Sequence, residues 1–196
     1  YMGLQQNNAL DAFTTDSAAG GSALATGERH DNRHISMSSE GEPYPSLSDF
    51  FHDKGMPVGV LTLGNVADAT PTAFYGHSVE RDNADELTRC LMDGRVDLLC
   101  GSGIREFTRR SDGVDLISEL EKQYDFVRSV DEITARKGKV ICIDETMDDA
   151  AEQANLTLLA DATRASIAKL QERGGKGFFL MVEGAKIDYA GHSRCL

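Results

Sequence analysis

The sequence predicts an α/β fold, a mainly parallel sheet flanked by helices, and three observations carry that prediction. Four short apolar runs recur along the chain, at residues 57–63, 96–100, 140–143 and 178–182, and helical stretches lie between them. The runs are continuous and do not alternate with polar residues, as expected of strands buried on both faces. Between the last two runs, residues 156–173 repeat Leu156, Leu159, Ala160, Thr163, Ile167 and Leu170 at helical spacing. Strands alternating with helices are the pattern of a parallel sheet. A chain of 196 residues is long enough for a sizeable core, and a single α/β domain over 1–196 is expected.

The elements follow in order. Residues 1–11 are polar and amide-rich, without periodicity. Asp16 and Ser17 are good helix caps, Ala18, Ala19, Ala23, Leu24 and Ala25 form helix readily, and Gly27 is placed to stop it. Residues 28–45 are charged and contain two prolines, which predicts a surface loop. Ser46 caps a short helix that Gly55 ends. The strand at 57–63 is followed by a loop over 65–71, the kind of position where ligands of open α/β sheets collect.

A helix is expected at 85–92, a strand at 96–100, and a tight turn at Gly101-Ser102-Gly103. Then come a helix over 114–123, a short strand at 126–127, a helical turn at 131–135 and the strand at 140–143. Residues 144–154 form an acidic connection without the glycine and glutamate spacing of a calcium loop. Gly174, Gly175 and Gly177 separate the long helix from the last strand.

Composition narrows the function. With 32 acidic and 20 basic residues, the net charge is −12, which argues against a nucleic-acid surface. No run of about 18 apolar residues suggests a membrane span. The four cysteines, Cys90, Cys100, Cys142 and Cys195, form no C-x-x-C pair, so a thiolate zinc site is not expected. Cys100 and Cys142 lie in strand-like runs and should be buried; a Cys90–Cys100 pair is allowed but not required.

Three stretches carry polar residues suited to chemistry. In Thr15-Asp16-Ser17-Ala18-Ala19, Ser17 sits at a helix N-terminus, a place that suits phosphate. Local features alone favour an ordinary capped helix. In Asp68-Ala69-Thr70-Pro71, two hard oxygen donors stand one residue apart, apt for magnesium, and His77 and Arg81 follow. A guanidinium fork matches two phosphate oxygens. In the third stretch, Glu183 ends a buried strand and Asp188 and His192 lie four apart, so that both project from one helix face.

Together, in this order and spacing, the three stretches resemble the alkaline phosphatases, over residues 11–192. The resemblance implies that Ser17 is the nucleophile and that Arg81 clamps the substrate phosphate. It assigns metal contacts to Asp16, Asp68, Thr70, Glu183, Asp188 and His192. Zinc would be held by Asp188 and His192, with a second zinc beside Asp16 and Ser17. Magnesium would lie on the side of Asp68, Thr70 and Glu183. It implies in-line attack on a small-molecule phosphomonoester, a phosphoserine, and its hydrolysis, with zinc activating the oxygens. His77 is expected to be structural, and no organic cofactor is implied.

The family also draws zinc ligands from an aspartate before the serine motif and from an Asp-His pair and a further histidine after the third stretch. Neither is present, so residues 1–196 are expected to be a fragment lacking both ends, inactive or nearly so alone. Tyr189 stands where some relatives carry lysine or histidine, which leaves the third-site metal open. The resemblance also implies a homodimer and a periplasmic or secreted location. The rival readings are a non-catalytic scaffold with the same fold, a related sulfatase or phosphodiesterase, and a serine hydrolase of another fold. The sulfatase pattern Cys/Ser-x-Pro-x-Arg is absent around Ser17.

Overall fold

The structure, a computed structural model, describes residues 6–148, 157–173 and 175–193. Five strands form one all-parallel sheet: β1 (Val58–Asn65), β2 (Leu98–Ser102), β3 (Tyr124–Val127), β4 (Lys139–Ile143) and β5 (Phe179–Glu183). Their spatial order is β3-β4-β2-β1-β5. The predicted fold class is therefore the observed one. The order turns back at β1, which has β2 on one side and β5 on the other. The carboxyl ends of β1 and β5 thus flank the crevice where such sheets bind ligands.

Successive side chains of a strand point to opposite faces, and each face has its own core. Val58, Val60, Leu99, Ile141 and Ile143 pack on one side with α1 (Ser17–Thr26), α2 (Leu47–Asp53), α3 (Ala69–Thr72), α4 (Ala84–Arg89), α5 (Arg105–Thr108) and α6 (Leu116–Leu120). Leu61, Leu98, Cys100, Val140 and Cys142 face the other side, covered by α7 (Leu158–Arg173) and the 3₁₀ turn Val130–Ala135. A last helix, α8 (Ala185–Ser193), follows β5.

Several expectations are corrected. The buried face of α7 is Leu158, Ala162, Ser166, Lys169 and Leu170; of the predicted stripe Leu170 is buried as expected, Leu159, Thr163 and Ile167 are only partly covered, and Ala160 is exposed. The small Ala162 and Ser166 let the helix approach the sheet, and the buried Lys169 amine donates to the Arg136 carbonyl. Leu156 and residues 149–154 lie outside the described residues, as does Cys195. Asp144, at the start of the acidic connection, is buried and accepts from the Val130 amide at 3.3 Å. Gly101 and Ser102 extend β2, and the chain turns only at Gly103, φ +104°. The helix read over 114–123 is confined to α6.

The stretch 28–45 is docked, not free. Ile35 and Ser36 are fully buried. Ile35 pairs antiparallel with Ser78, and the Ser36 hydroxyl donates to the Ala73 carbonyl at 2.8 Å. Cys90, Cys100 and Cys142 are free thiols. Cys100 is register partner to Cys142, across β2 and β4, and not to Cys90. Among the described residues, no helix is long and apolar enough to cross a membrane.

Candidate active site

A cleft of about 890 Å³ opens at the carboxyl ends of β1 and β5. Asp16, Ser17, Asp68, Thr70, Arg81, Glu183, Asp188 and His192 all line it, with Tyr189. Residues up to 176 positions apart in the chain thus converge, as three consequences of local folding.

The first is α1. Asp16 is its N-cap, in extended backbone, and its Oδ1 accepts from the Ala19 amide at 2.9 Å. Ser17 is therefore the first helical residue, exposed to the cleft, at the positive end of a ten-residue helix. Gly21 sets how closely α1 lies on α3: a Cβ there would stand 3.3 Å from the Thr70 Cα. Asp16 Oδ2 accepts twice more, from the Arg33 amide at 3.0 Å and from Arg81 Nη1 at 3.2 Å. The Asp16 amide in turn donates to Asn32 Oδ1 at 2.8 Å. Three of the roughly four lone-pair sites on this carboxylate are thereby occupied by N–H groups. Its geometry is that of an anchor for α1 and for Arg81, and the expected metal contact has little left to use.

The second is the turn after β1. Residues 65–71 are not all loop: Asp68 is the N-cap position of α3, and Thr70 lies within that helix. Burial pushes the Asp68 carboxyl above its usual range, with the Tyr189 hydroxyl and Arg81 partly opposing. Tyr189 donates its hydroxyl proton to Asp68 Oδ2. Burial and that bond together raise the tyrosine well above its usual range. His77, expected to be structural, bonds through Nδ1 to the Ser36 carbonyl at 3.1 Å.

The third is the end of β5. Glu183 is in register with Thr62 of β1, whose hydroxyl donates to Glu183 Oε2 at 2.6 Å. Burial raises the Glu183 carboxyl above its ordinary value, while the Thr62 and Thr70 hydroxyls hold it partly down. On α8, His192 Nε2 lies 3.5 Å from Asp188 Oδ2, as the four-residue spacing predicts, and both side chains are largely exposed.

The donor sets fit metals unequally. Asp68, Thr70 and Glu183 are hard oxygen donors, two of them carboxylates forced into a partly desolvated cleft. That charge is what a divalent cation offsets, and the set suits magnesium with water completing its shell. Asp188 and His192 supply two donors, whereas tetrahedral zinc takes four. Among the described residues, no three His, Cys, Asp or Glu side chains stand together closely enough to hold a metal. Zinc is therefore only half provided for here.

Sequence reasoning missed Thr62, Asn32 and Arg33. Thr62 was findable, as the lone polar residue in the otherwise apolar run 57–63. Asn32 and Arg33 carry no signal, because their contacts to Asp16 cross 16 and 17 residues and Arg33 contributes through its backbone amide.

Comparison with known proteins identifies the family and the fold. The family model described as Alkaline phosphatase matches residues 1–195. Alkaline phosphatase 4 of Bacillus subtilis is 31% identical, over 93% of this chain and 41% of its own length. Streptomycin-6-phosphate phosphatase of Streptomyces griseus is 30% identical, over 92% of this chain and 53% of its own. Among solved structures, a mutant of TAB5 alkaline phosphatase described with Mg bound in its M3 site superposes with a TM-score of 0.89 at 25% identity. That match covers 97% of this chain and 56% of the other. The chain spans about half the length of the curated relatives it matches.

Proposed function

The chain belongs to the alkaline phosphatase family, and on that premise we propose that its cleft hydrolyses small phosphate monoesters through a phosphoserine at Ser17. The observation that carries this reading is convergence: all eight residues that the motifs single out line one cleft at the carboxyl edge of the sheet.

Each residue has a part suited to its place. The Ser17 oxygen attacks phosphorus in line, and the bond from phosphorus to the leaving alcohol breaks. A water then attacks the phosphoserine and returns Ser17. Arg81 takes two phosphoryl oxygens in its fork, oriented by Asp16, which we assign to that work and not to a metal. The N-terminal amides and dipole of α1 add positive potential where the phosphoryl group arrives. Asp68, Thr70 and Glu183 would hold magnesium, and Asp188 and His192 would hold zinc as two of its donors. When bound, such cations lower the pKa of coordinated oxygens and offset charge that develops at phosphorus and the leaving oxygen. The Thr62 hydroxyl partly offsets the burial of Glu183 and holds it at the cleft, and Tyr189 orients Asp68.

A small-molecule phosphomonoester as substrate, a homodimer, and a periplasmic or secreted location are proposals supported by the family resemblance. The net charge of −12 disfavours nucleic acid as a partner.

The test is hydrolysis of p-nitrophenyl phosphate by the intact protein supplied with zinc and magnesium. Turnover that falls on the order of a thousandfold or more in Ser17→Ala supports the reading. Turnover indifferent to Ser17, or to chelators, contradicts it and favours a hydrolase of another kind.

A further inference from the structure

Arg81 lies between two carboxylates in the sequence, Glu80 and Asp82. Left to themselves, these neighbours would compete for its guanidinium and draw it along the surface. They do not, because both are engaged elsewhere. Arg33 donates from Nε to Glu80 Oε2 at 2.9 Å and from Nη2 to Glu80 Oε1 at 2.5 Å. The same Nη2 also reaches Asp82. Arg81 Nε is left 3.9 Å from Asp82, while its Nη1 reaches Asp16 at 3.2 Å.

We propose that Arg33 is a positioning residue for phosphate binding: it sequesters Glu80 and Asp82 so that Arg81 turns to Asp16 and the cleft. The inference rests on the assignment of Arg81 as the phosphate clamp.

Two further features support it. Arg33 holds left-handed backbone, φ +71°, a conformation unusual for a residue with a side chain. The strain is local to the residue that bridges both sides of the site. Its amide donates to Asp16 Oδ2, the same oxygen that anchors Arg81, while its side chain grips the residues on either side of Arg81. The pairing of Ile35 with Ser78 fixes the two segments against each other, so the clamp has a rigid frame. Electrostatics point the same way. Two unpaired carboxylates beside the phosphate clamp would repel an anionic substrate, and the single positive charge of Arg33 offsets part of theirs.

The test uses Arg33→Gly in the intact, metal-supplied protein. Glycine accepts φ near +71° without strain and keeps the amide to Asp16, so only the side chain is lost. The affinity for inorganic phosphate and the KM for p-nitrophenyl phosphate are read, with kcat alongside. Phosphate affinity should weaken by roughly two- to fivefold, the range for a partly exposed ion-pair network. KM should rise by a similar factor with kcat much less affected. In the Glu80→Gln, Asp82→Asn background the competitors are gone, and adding Arg33→Gly should change little.

Unchanged phosphate affinity in Arg33→Gly overturns the proposal, and so does a loss that persists in the Glu80→Gln, Asp82→Asn background. In either case a parent protein that still binds phosphate through Arg81 leaves the phosphatase reading standing. A parent protein that binds no phosphate overturns both.

Discussion

Thr62 and Glu183 stand opposite each other on adjacent parallel strands, and the threonine hydroxyl donates to the carboxylate at 2.6 Å. The pair marks where the sheet delivers function. Here β1 and β5 end at the point where the strand order reverses, and a partly buried carboxyl group has its own donor already in place. Asp68, on the turn beyond β1, brings a second carboxylate into the same cleft.

Those two carboxylates give a pH-dependent prediction. Burial raises both above their usual range in the folded protein. Their favourable contribution is complete only below the unfolded carboxylate range, and it is lost as pH rises through the raised folded values. At neutral pH the metal-free protein therefore carries destabilising buried charge. Magnesium should raise Tm there by a few degrees, since about 1 kcal/mol shifts Tm by about 2–4 °C in a chain of this size. The increment should shrink toward about pH 4.5, where protons compete. Glu183→Gln and Asp68→Asn should raise the metal-free Tm at neutral pH and abolish the magnesium increment. Thermal melts with and without magnesium check this.

Asp16 has two tasks that substitution separates. Asparagine caps a helix as well as aspartate does, whereas alanine does not. Asp16→Ala should lose about 1–2 kcal/mol of stability in urea unfolding, and Asp16→Asn less, because it keeps the cap to Ala19 while losing the bonds from Arg33 and Arg81. Both should weaken inorganic phosphate binding, because both remove the carboxylate that orients Arg81.

Gly101 predicts a stability defect in the sheet. A Cβ there would lie 2.9 Å from the Gly64 carbonyl oxygen and 2.7 Å from Val66 Cγ1. Backbone cannot yield cheaply here, because β2 is held between β1 and β4 and Gly101 faces the register shift of β1 between Leu61 and Asn65. Gly101→Ala should cost about 1–3 kcal/mol, read as a lower urea midpoint. The shift of β1 should also disturb the turn that carries Asp68, so magnesium affinity should fall with it.

The parallel sheet was legible because each strand is a continuous apolar run, and all four predicted runs lie within or overlap observed strands. The apolar pattern marks only two residues of β3, because Tyr124 and Asp125 look like loop; the Tyr124 hydroxyl donates to the Val96 carbonyl, a contact distant in sequence. Apolar spacing marks only part of the α7 face: it includes the buried Leu170 but passes over Ser166 and Lys169, which are buried too. The site residues were legible as three local motifs. What joins them was not: Arg33 to Glu80, Thr62 to Glu183 and Tyr189 to Asp68 are contacts between segments distant in sequence, and only the fold specifies them.

The most direct measurement is to quench the intact, metal-supplied protein during turnover of a phosphomonoester and locate any added phosphoryl group by peptide mass spectrometry. One phosphoryl group is expected on Ser17, present in the parent and absent in Ser17→Ala. Turnover with no phosphorylated Ser17, or with the group on another residue, would contradict it.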